Sequence, residues 1–177
     1  MSLVRRTARV TLAPFAIIAL VACQQVPEPG SAERVEGGGV SVEVPGTWTS
    51  DSVAGRGLVI AERRHDLDVD VPAGPRVVIA RGGDLPDPEE LLTSIENAPG
   101  PLQGEPKELE VGGMPAVELG QIAKHDRVNV EARHIATVSP SGESYLVRLE
   151  APDDEWDLNQ DTLDRIVASI EFVADGD

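Results

Sequence analysis

The chain of 177 residues carries 15 basic and 31 acidic side chains, a formal net charge of −16, and a single cysteine. That acidity argues against nucleic-acid binding, because contacts to phosphates need clustered Lys and Arg side chains. One cysteine excludes both an intrachain disulfide framework and a cysteine-based zinc finger. With 41% hydrophobic residues the composition is globular, and the length fits one domain.

The N-terminal segment has the pattern of a bacterial lipoprotein signal. Three arginines precede the apolar run 10–22, which is too short to span a bilayer and suits a secretory signal peptide. The run ends in Leu20-Val21-Ala22-Cys23, which resembles the lipobox of bacterial lipoproteins. This resemblance implies cleavage before Cys23 and a diacylglyceryl group on the Cys23 thiol. It leaves open whether the new amine also carries an acyl chain such as palmitate. The alternative is an ordinary signal peptide with an incidental cysteine.

Composition divides the chain into three parts. Residues 1–22 form the predicted signal peptide. Residues 23–38 contain Pro, Gly, Glu and Ser without hydrophobic periodicity, so we predict that the lipidated Cys23 is followed by a flexible tether. Residues 39–174 are predicted to form a single α+β domain.

The first half of this domain contains short segments with the pattern of strands. Residues 40–44 alternate apolar and polar side chains and end at the turn-forming Pro45-Gly46. Residues 58–61 and 77–80 are apolar and predict two buried strands. Between them, residues 66–71 alternate aspartate with apolar side chains, which fits either an acidic-faced strand or an extended loop.

Two helices are predicted. The first begins at Asp87-Pro88, where Asp87 caps the helix and Pro88 suits its first position. The second is predicted over residues 161–172, and it would cover the sheet with one apolar face made of Leu163, Ile166, Val167 and Ile170.

The segment between the two helices predicts an antiparallel meander. Residues 100–106 are expected to be a loop. Strands are predicted over 108–111 and 115–122, joined by a two-glycine turn, and further strands over 128–138 and 145–150. At least three of the four aromatic residues that follow Cys23 are expected in the core, and these four are Trp48, Tyr145, Trp156 and Phe172.

None of the three histidines has the sequence context of a catalytic or metal-binding residue. His125-Asp126 has the composition of a general base and its orienting partner, but neighbours on a strand point to opposite faces, so a solvated hairpin end is favoured. His134 lies among apolar residues and predicts a half-buried histidine. His65 follows two arginines, which disfavours a divalent metal. We therefore predict no catalytic, cofactor-binding or metal-binding residues and no enzyme activity.

The acidic clusters raise the question of calcium. Asp66, Asp68 and Asp70 have the spacing that opens a calcium loop, but Val71 stands where glycine is expected and Val77 where glutamate is expected. A solvated acidic face is the favoured interpretation for this cluster and for a second one at residues 153–157. Calcium binding stays the open alternative.

Four further segments carry a family resemblance. They are residues 42–48 (VEVPGTW), 111–116 (VGGMPA), 145–147 (YLV) and 151–170, which begins Ala-Pro and continues into the last helix. Their order and spacing resemble the actinobacterial lipoproteins of the LpqN/LpqT type, which have a PsbP-like fold. The resemblance implies a central antiparallel β-sheet flanked by helices, an α/β/α sandwich, and no settled enzyme activity.

These observations predict a lipid-anchored protein on the extracytoplasmic side of the cell membrane. We expect it to act as a binding or interaction module of the cell envelope, without a cofactor and with an envelope protein as partner. Its negative charge favours a partly basic partner surface. The alternative is a carrier of an apolar or envelope-lipid ligand in a groove between helix and sheet.

Overall fold

The computed structural model describes residues 31–53, 57–82, 85, 87–90, 93, 101–125 and 128–173. Within these residues the chain forms ten strands, a 3-10 helix, a long α-helix near the C-terminus and the start of an earlier helix at residues 88–90. The strands form two antiparallel sheets, one of three strands and one of seven. The α+β class and the antiparallel pairing are therefore confirmed, while the division into two sheets was not predicted.

The small sheet contains the first strand of the domain. It is built from β1 (Ala32–Gly37), β2 (Val40–Pro45) and the short β10 (Glu171–Phe172), in the order β1-β2-β10. The prediction of a flexible tether up to residue 38 is wrong over β1, which pairs with β2 along its whole length. A two-residue turn at Gly38 and Gly39, with φ of 58° and 76°, allows this pairing because both positions need a positive φ.

The large sheet contains the predicted meander. Its strand order is β3-β4-β5-β9-β8-β7-β6. The strands are β3 (Thr49–Val53), β4 (Gly57–Ala61), β5 (Arg76–Arg81), β6 (Leu102–Val111), β7 (Met114–His125), β8 (Val128–Val138) and β9 (Ser144–Pro152).

The loop predicted over residues 100–106 is wrong, because β6 already begins at Leu102. The pairing of β6 with β7 shifts register between Gln103 and Lys107, and Gly104 within this interval has a φ of 75°. A bulge of this kind interrupts the alternation of side chains, so the sequence of the segment lacks the period of a strand.

Helix α1 (Asp153–Ala168) begins eight residues earlier than predicted. Pro152 precedes it, and three acidic residues in the first turn favour the positive end of the helix dipole. The helix also ends earlier than predicted, since Phe172 belongs to β10. The acidic residues 153–157, which were interpreted as a solvated face, are thus also the first turn of α1.

The main core lies between α1, the small sheet and one face of the large sheet. The aromatic residues Trp48, Tyr145 and Trp156 are buried in it, which confirms that three of the four aromatics are core residues. Its largest fully buried side chains are Leu58, Ile60, Ile79, Ile135, Leu149, Leu163 and Ile166.

The predicted start of the earlier helix is confirmed. Residues 88–90 are helical, and the Asp87 carboxylate accepts hydrogen bonds from the backbone N–H groups of Glu89 and Glu90 at 2.9 and 2.8 Å. Among the described residues α1 is the long helix, and it covers one face of the large sheet. The described part of the chain therefore shows less flanking by helices than a full α/β/α sandwich.

Candidate functional site

A groove opens between α1 and the small sheet, where the sequence predicted a groove between helix and sheet. We call it the Trp48 groove. Its floor is formed by Val44, Trp48 and Ile166, and its volume is about 440 Å³. That volume lies in the range of small-molecule sites in proteins. Trp48 reaches the floor because the turn after β2 reverses the chain, with the Trp48 N–H donating to the Pro45 carbonyl at 2.8 Å.

Helix α1 forms one wall of the Trp48 groove with Asn159, Thr162 and Arg165, which share the face that also presents Ile166. The Arg165 guanidinium donates to the Asp161 carbonyl at 3.2 Å and to the Thr162 hydroxyl at 3.1 Å. No carboxylate of the described residues lies within 4 Å of it. Its remaining N–H groups are therefore available to a ligand.

Two carboxylates, those of Glu43 and Glu62, line the groove from outside α1. Glu43 lies 3.2 Å from Arg34, which also pairs with Glu171 and lowers the pKa of Glu171 through their hydrogen bond. Glu62 lies 3.7 Å from Arg63. All these side chains are exposed at the surface, so the carboxylates are accessible to solvent and to a ligand.

The groove also lies beside the N-terminal end of the described chain. Ser31 and Ala32, the first two described residues, belong to its lining. Cys23 and the predicted signal peptide lie outside the described residues. Among the described residues, no helix is long and apolar enough to cross a bilayer.

A second polar cluster lies on the face of the large sheet opposite α1. The buried Arg76 donates from Nε to the Glu150 carboxylate at 2.6 Å, and Arg148 contacts the same carboxylate at 2.9 Å. His134 stands directly across from Arg148 in the neighbouring strand. Burial, and then the positive charge of Arg148, lower the pKa of His134 to about 4, so its imidazole is neutral at physiological pH.

The segment with the calcium-loop spacing, residues 66–70, binds the side chain of Arg76. The segment containing Asp66 is a 3-10 helix followed by a loop, and Asp66 is fully buried rather than solvated as predicted. Arg76 donates to the carbonyls of Asp66, Val69 and Asp70 at 3.0, 2.5 and 3.4 Å. Its guanidinium thus takes the backbone oxygens of this loop. No group of three or more His, Cys, Asp or Glu side chains within the described ranges is placed to hold a metal.

A third polar group lies beside α1, on the face of the sheet that the helix covers. Arg133 pairs with Asp164 and, at 3.4 Å, with Glu118, and its guanidinium carbon lies 5.2 Å from the centre of the Trp156 ring. Burial raises the pKa of Glu131 on the same strand, and the nearby charges of α1 raise it further.

The predicted histidines do not converge. His134 is half-buried, as predicted. The His65 side chain is exposed and lies 3.5 Å from the Asp66 carboxylate. For His125 the structure describes only the backbone, and Asp126 lies outside the described residues. Arg165, which the sequence analysis did not single out, carries no sequence signal of its own, because only the fold shows that it lines a groove.

No family profile and no curated protein matches the chain in comparisons with known proteins. Solved structures do match. LpqN, described as involved in cell envelope biogenesis of Mycobacterium tuberculosis, is 23% identical with a TM-score of 0.54 over 83% of this chain and 87% of its own.

Two further structures have the same architecture. PsbP from Synechocystis is 15% identical with a TM-score of 0.55 over 86% of this chain and 98% of its own. The Ran-binding protein Mog1p of Saccharomyces cerevisiae is 12% identical with a TM-score of 0.50, over 81% and 96%. At these identities the likeness establishes the fold, and the chain accordingly has the PsbP-like fold that LpqN also adopts.

Proposed function

We propose that the protein is a lipid-anchored binding module of the cell envelope, held at the extracytoplasmic face of the membrane through Cys23. The observation that carries this proposal is that Ser31 and Ala32, the first described residues after Cys23 in the sequence, line the Trp48 groove. The lipobox before Cys23 supports the anchor, since two acyl chains give stable membrane attachment. The fold shared with LpqN, described as a protein of cell envelope biogenesis, supports the location.

The histidine and the acidic side chains with shifted pKa values lie apart on the fold, which favours binding over catalysis. His134 and Glu131 lie on the same strand three residues apart, and therefore on opposite faces of the sheet. Glu171, the described acid whose pKa is lowered, lies in the small sheet. General acid–base chemistry needs such groups to meet at one point. We propose an envelope protein with a partly basic surface as the partner, because the net charge would steer such a partner.

The carrier function remains a second candidate because the floor of the groove is apolar. Val44, Trp48 and Ile166 offer a surface for an aliphatic or aromatic group. The walls, however, present Arg165, Glu62 and other polar groups, and the groove is open to solvent. These features favour a polar head or a peptide over a fully enclosed acyl chain.

Site-specific cross-linking in cells tests the proposed function. A photo-reactive amino acid at Thr162, on the wall of the groove, should capture an envelope component from the full chain. The same amino acid at Gln160, which is exposed on α1 outside the groove, is the matched control. Capture at Thr162 should fall in a Cys23→Ser chain that leaves the membrane. Equal capture at both positions, or a Cys23→Ser chain that stays bound to the membrane after correct processing, would contradict the proposal.

A further inference from the structure

The described cations differ in whether a carboxylate neutralises them. Seven of them, from Arg34 to Arg148, lie within 4 Å of at least one carboxylate. Arg64, Lys124 and Arg165 do not. In a chain with twice as many acids as bases an unpaired cation stands out, and Arg165 is the one of these three that lines the Trp48 groove.

The opposite side of the Trp48 groove carries an excess of negative charge. Arg34 is shared by Glu43 and Glu171, so one negative charge is left over there. Arg63 is likewise shared by Glu62, at 3.7 Å, and Glu155, at 2.9 Å. The groove therefore presents a guanidinium on its helix wall and uncompensated carboxylate charge on its facing rim.

A zwitterion fits this arrangement better than a simple anion or cation. A guanidinium binds a phosphate through two parallel hydrogen bonds, and a primary ammonium donates up to three hydrogen bonds to carboxylates. A ligand with both groups would satisfy Arg165 through its phosphate and Glu62 through its ammonium. An anion alone would be repelled by Glu62 and Glu43, and a cation alone would be repelled by Arg165.

The position of the groove restricts where such a ligand is found. From Cys23 to Ser31 is eight residues, which reach at most about 29 Å when fully extended. If Cys23 is embedded through its acyl chains, the groove lies within that distance of the bilayer surface. Phosphatidylethanolamine headgroups at this surface carry a phosphate and a primary ammonium two carbons apart.

We propose that the Trp48 groove binds the phosphoethanolamine headgroup of a membrane phospholipid, with the phosphate on Arg165 and the ammonium on Glu62. The inference rests on the proposed function, because it needs the anchor at Cys23. Binding of the headgroup orients the domain, with the groove toward the bilayer and the outer face of α1 toward solvent. Recognition of the headgroup also opposes the repulsion between an acidic domain and an anionic surface.

The first arm of the test uses the soluble headgroup. Full-length mature protein is titrated with glycerophosphoethanolamine, and binding is followed by ligand-observed NMR and by intrinsic tryptophan fluorescence, to which Trp48 and Trp156 both contribute. We expect saturable binding that Arg165→Gln and Glu62→Gln each weaken roughly tenfold, as for the loss of one charged hydrogen bond. Lys124→Gln, the same charge change at an unpaired cation outside the groove, should weaken it less than twofold.

Two related ligands serve as controls for recognition of the ammonium group, and a variant at an exposed residue serves as a control for folding. Glycerophosphocholine, whose ammonium has no N–H, and glycerol phosphate, which has no ammonium, should each bind at least fivefold more weakly. Equal binding of either compound, or equal weakening by Lys124→Gln, would overturn the proposal. Glu62 is exposed at the surface, so Glu62→Gln tests the site even if Arg165→Gln unfolds the protein.

The second arm distinguishes the bilayer from a free solute. Protein anchored in nanodiscs of phosphatidylethanolamine should show a change in tryptophan fluorescence that is absent in nanodiscs of phosphatidylcholine and is lost in Arg165→Gln. Binding of the soluble headgroup without this change would overturn the membrane as its source. Cross-linking from Thr162 to another envelope component, with no headgroup binding in either arm, would refute this inference while leaving the proposed function intact.

Discussion

The two faces of the large sheet bury different kinds of side chain. The centre of the face under α1 is apolar, with Ile135, Val147 and Leu149 packed against Leu163 and Ile166 of the helix. The charged pair of Arg133 and Glu118 lies on this face beside the helix. The opposite face contains only a small apolar cluster of Leu119, Ala136 and Leu146. Beside this cluster it buries an ion pair and a histidine.

The difference follows from what each face must satisfy. Apolar burial under α1 is non-directional, and its stabilisation scales with the area removed from water. The Arg76–Glu150 pair must instead recover the cost of removing two charges from water, and it does so through added hydrogen bonds to the backbone of the loop at residues 66–70. The polar face therefore fixes the conformation of a loop as well as stabilising the sheet.

The largest effect is expected on the apolar face. Ile166→Ala should lower the free energy of unfolding by about 2–5 kcal/mol, through lost transfer energy and a cavity that the packed sheet cannot fill. Leu158 on the same helix is 81% exposed, so Leu158→Ala is the matched control and should change it by less than about 0.5 kcal/mol. Urea unfolding measures both values. A cost below about 0.5 kcal/mol for Ile166→Ala would refute its core role.

On the polar face, Arg76→Met should cost about 3 kcal/mol, because it leaves the Glu150 carboxylate buried with Arg148 as its remaining partner. The double variant Arg76→Met/Glu150→Leu should recover much of this loss, since replacing both charges removes the desolvation cost. Urea unfolding of the two single variants and the double variant gives the coupling free energy. Additive costs would show that the pair does not act as a unit.

The apolar face was readable from the sequence, and the polar face was not. The alternation in β8 and β9 and the helical spacing of Leu163, Ile166 and Val167 repeat over several residues, so a few exceptions do not hide them. Arg76 and Glu150 are 74 residues apart in sequence, and each is unremarkable in its own segment. Their pairing is a property of strand order, which no local pattern encodes.

Two glycine pairs have the same backbone conformation, but only one was predicted as a turn, because the segments that flank them differ in sequence. Gly112-Gly113 stood between two alternating segments and was correctly predicted as a hairpin turn. Gly38 and Gly39 have the same pair of φ values, 58° and 76°, but the preceding segment is rich in charge and poor in apolar residues, so it was predicted as a tether. An edge strand can be this polar because its unpaired edge and one of its faces meet solvent. Residues of the small sheet line the Trp48 groove. Because β1 was predicted as a tether, the residues that line this groove could not be predicted from the sequence.

The histidine of the polar face predicts a dependence of stability on pH. His134 has a folded-state pKa of about 4, below its ordinary value of 6.5, so the unfolded chain takes up a proton first as the pH falls. Its contribution to stability is fully present above pH 7 and is lost as the pH falls from 6.5 toward 4. We expect a loss of about 2 kcal/mol by pH 5.

The variant His134→Gln separates this histidine from the other groups. Its stability should depend less on pH between 7 and 5 than that of the parent chain, as measured by urea unfolding across that range. The raised pKa of Glu131 acts in the opposite direction, because its protonation in the folded state favours folding in acid. It is unchanged in both proteins and cancels in the comparison. Parallel pH profiles would contradict a neutral, buried His134.

The smallest effect is expected at Thr137, a buried residue with a hydroxyl group on the face under α1. Thr137 is completely inaccessible to solvent, and its hydroxyl donates to the Pro115 carbonyl at 2.9 Å in the neighbouring strand. Thr137→Val keeps the shape of the side chain and removes the donor, so it should cost about 1 kcal/mol, the net value of a single hydrogen bond. Thr137→Ser keeps the hydroxyl and removes a methyl group, so its cost reports packing alone. If Thr137→Val is neutral or stabilising, the hydrogen bond to Pro115 makes no net contribution to the free energy of unfolding.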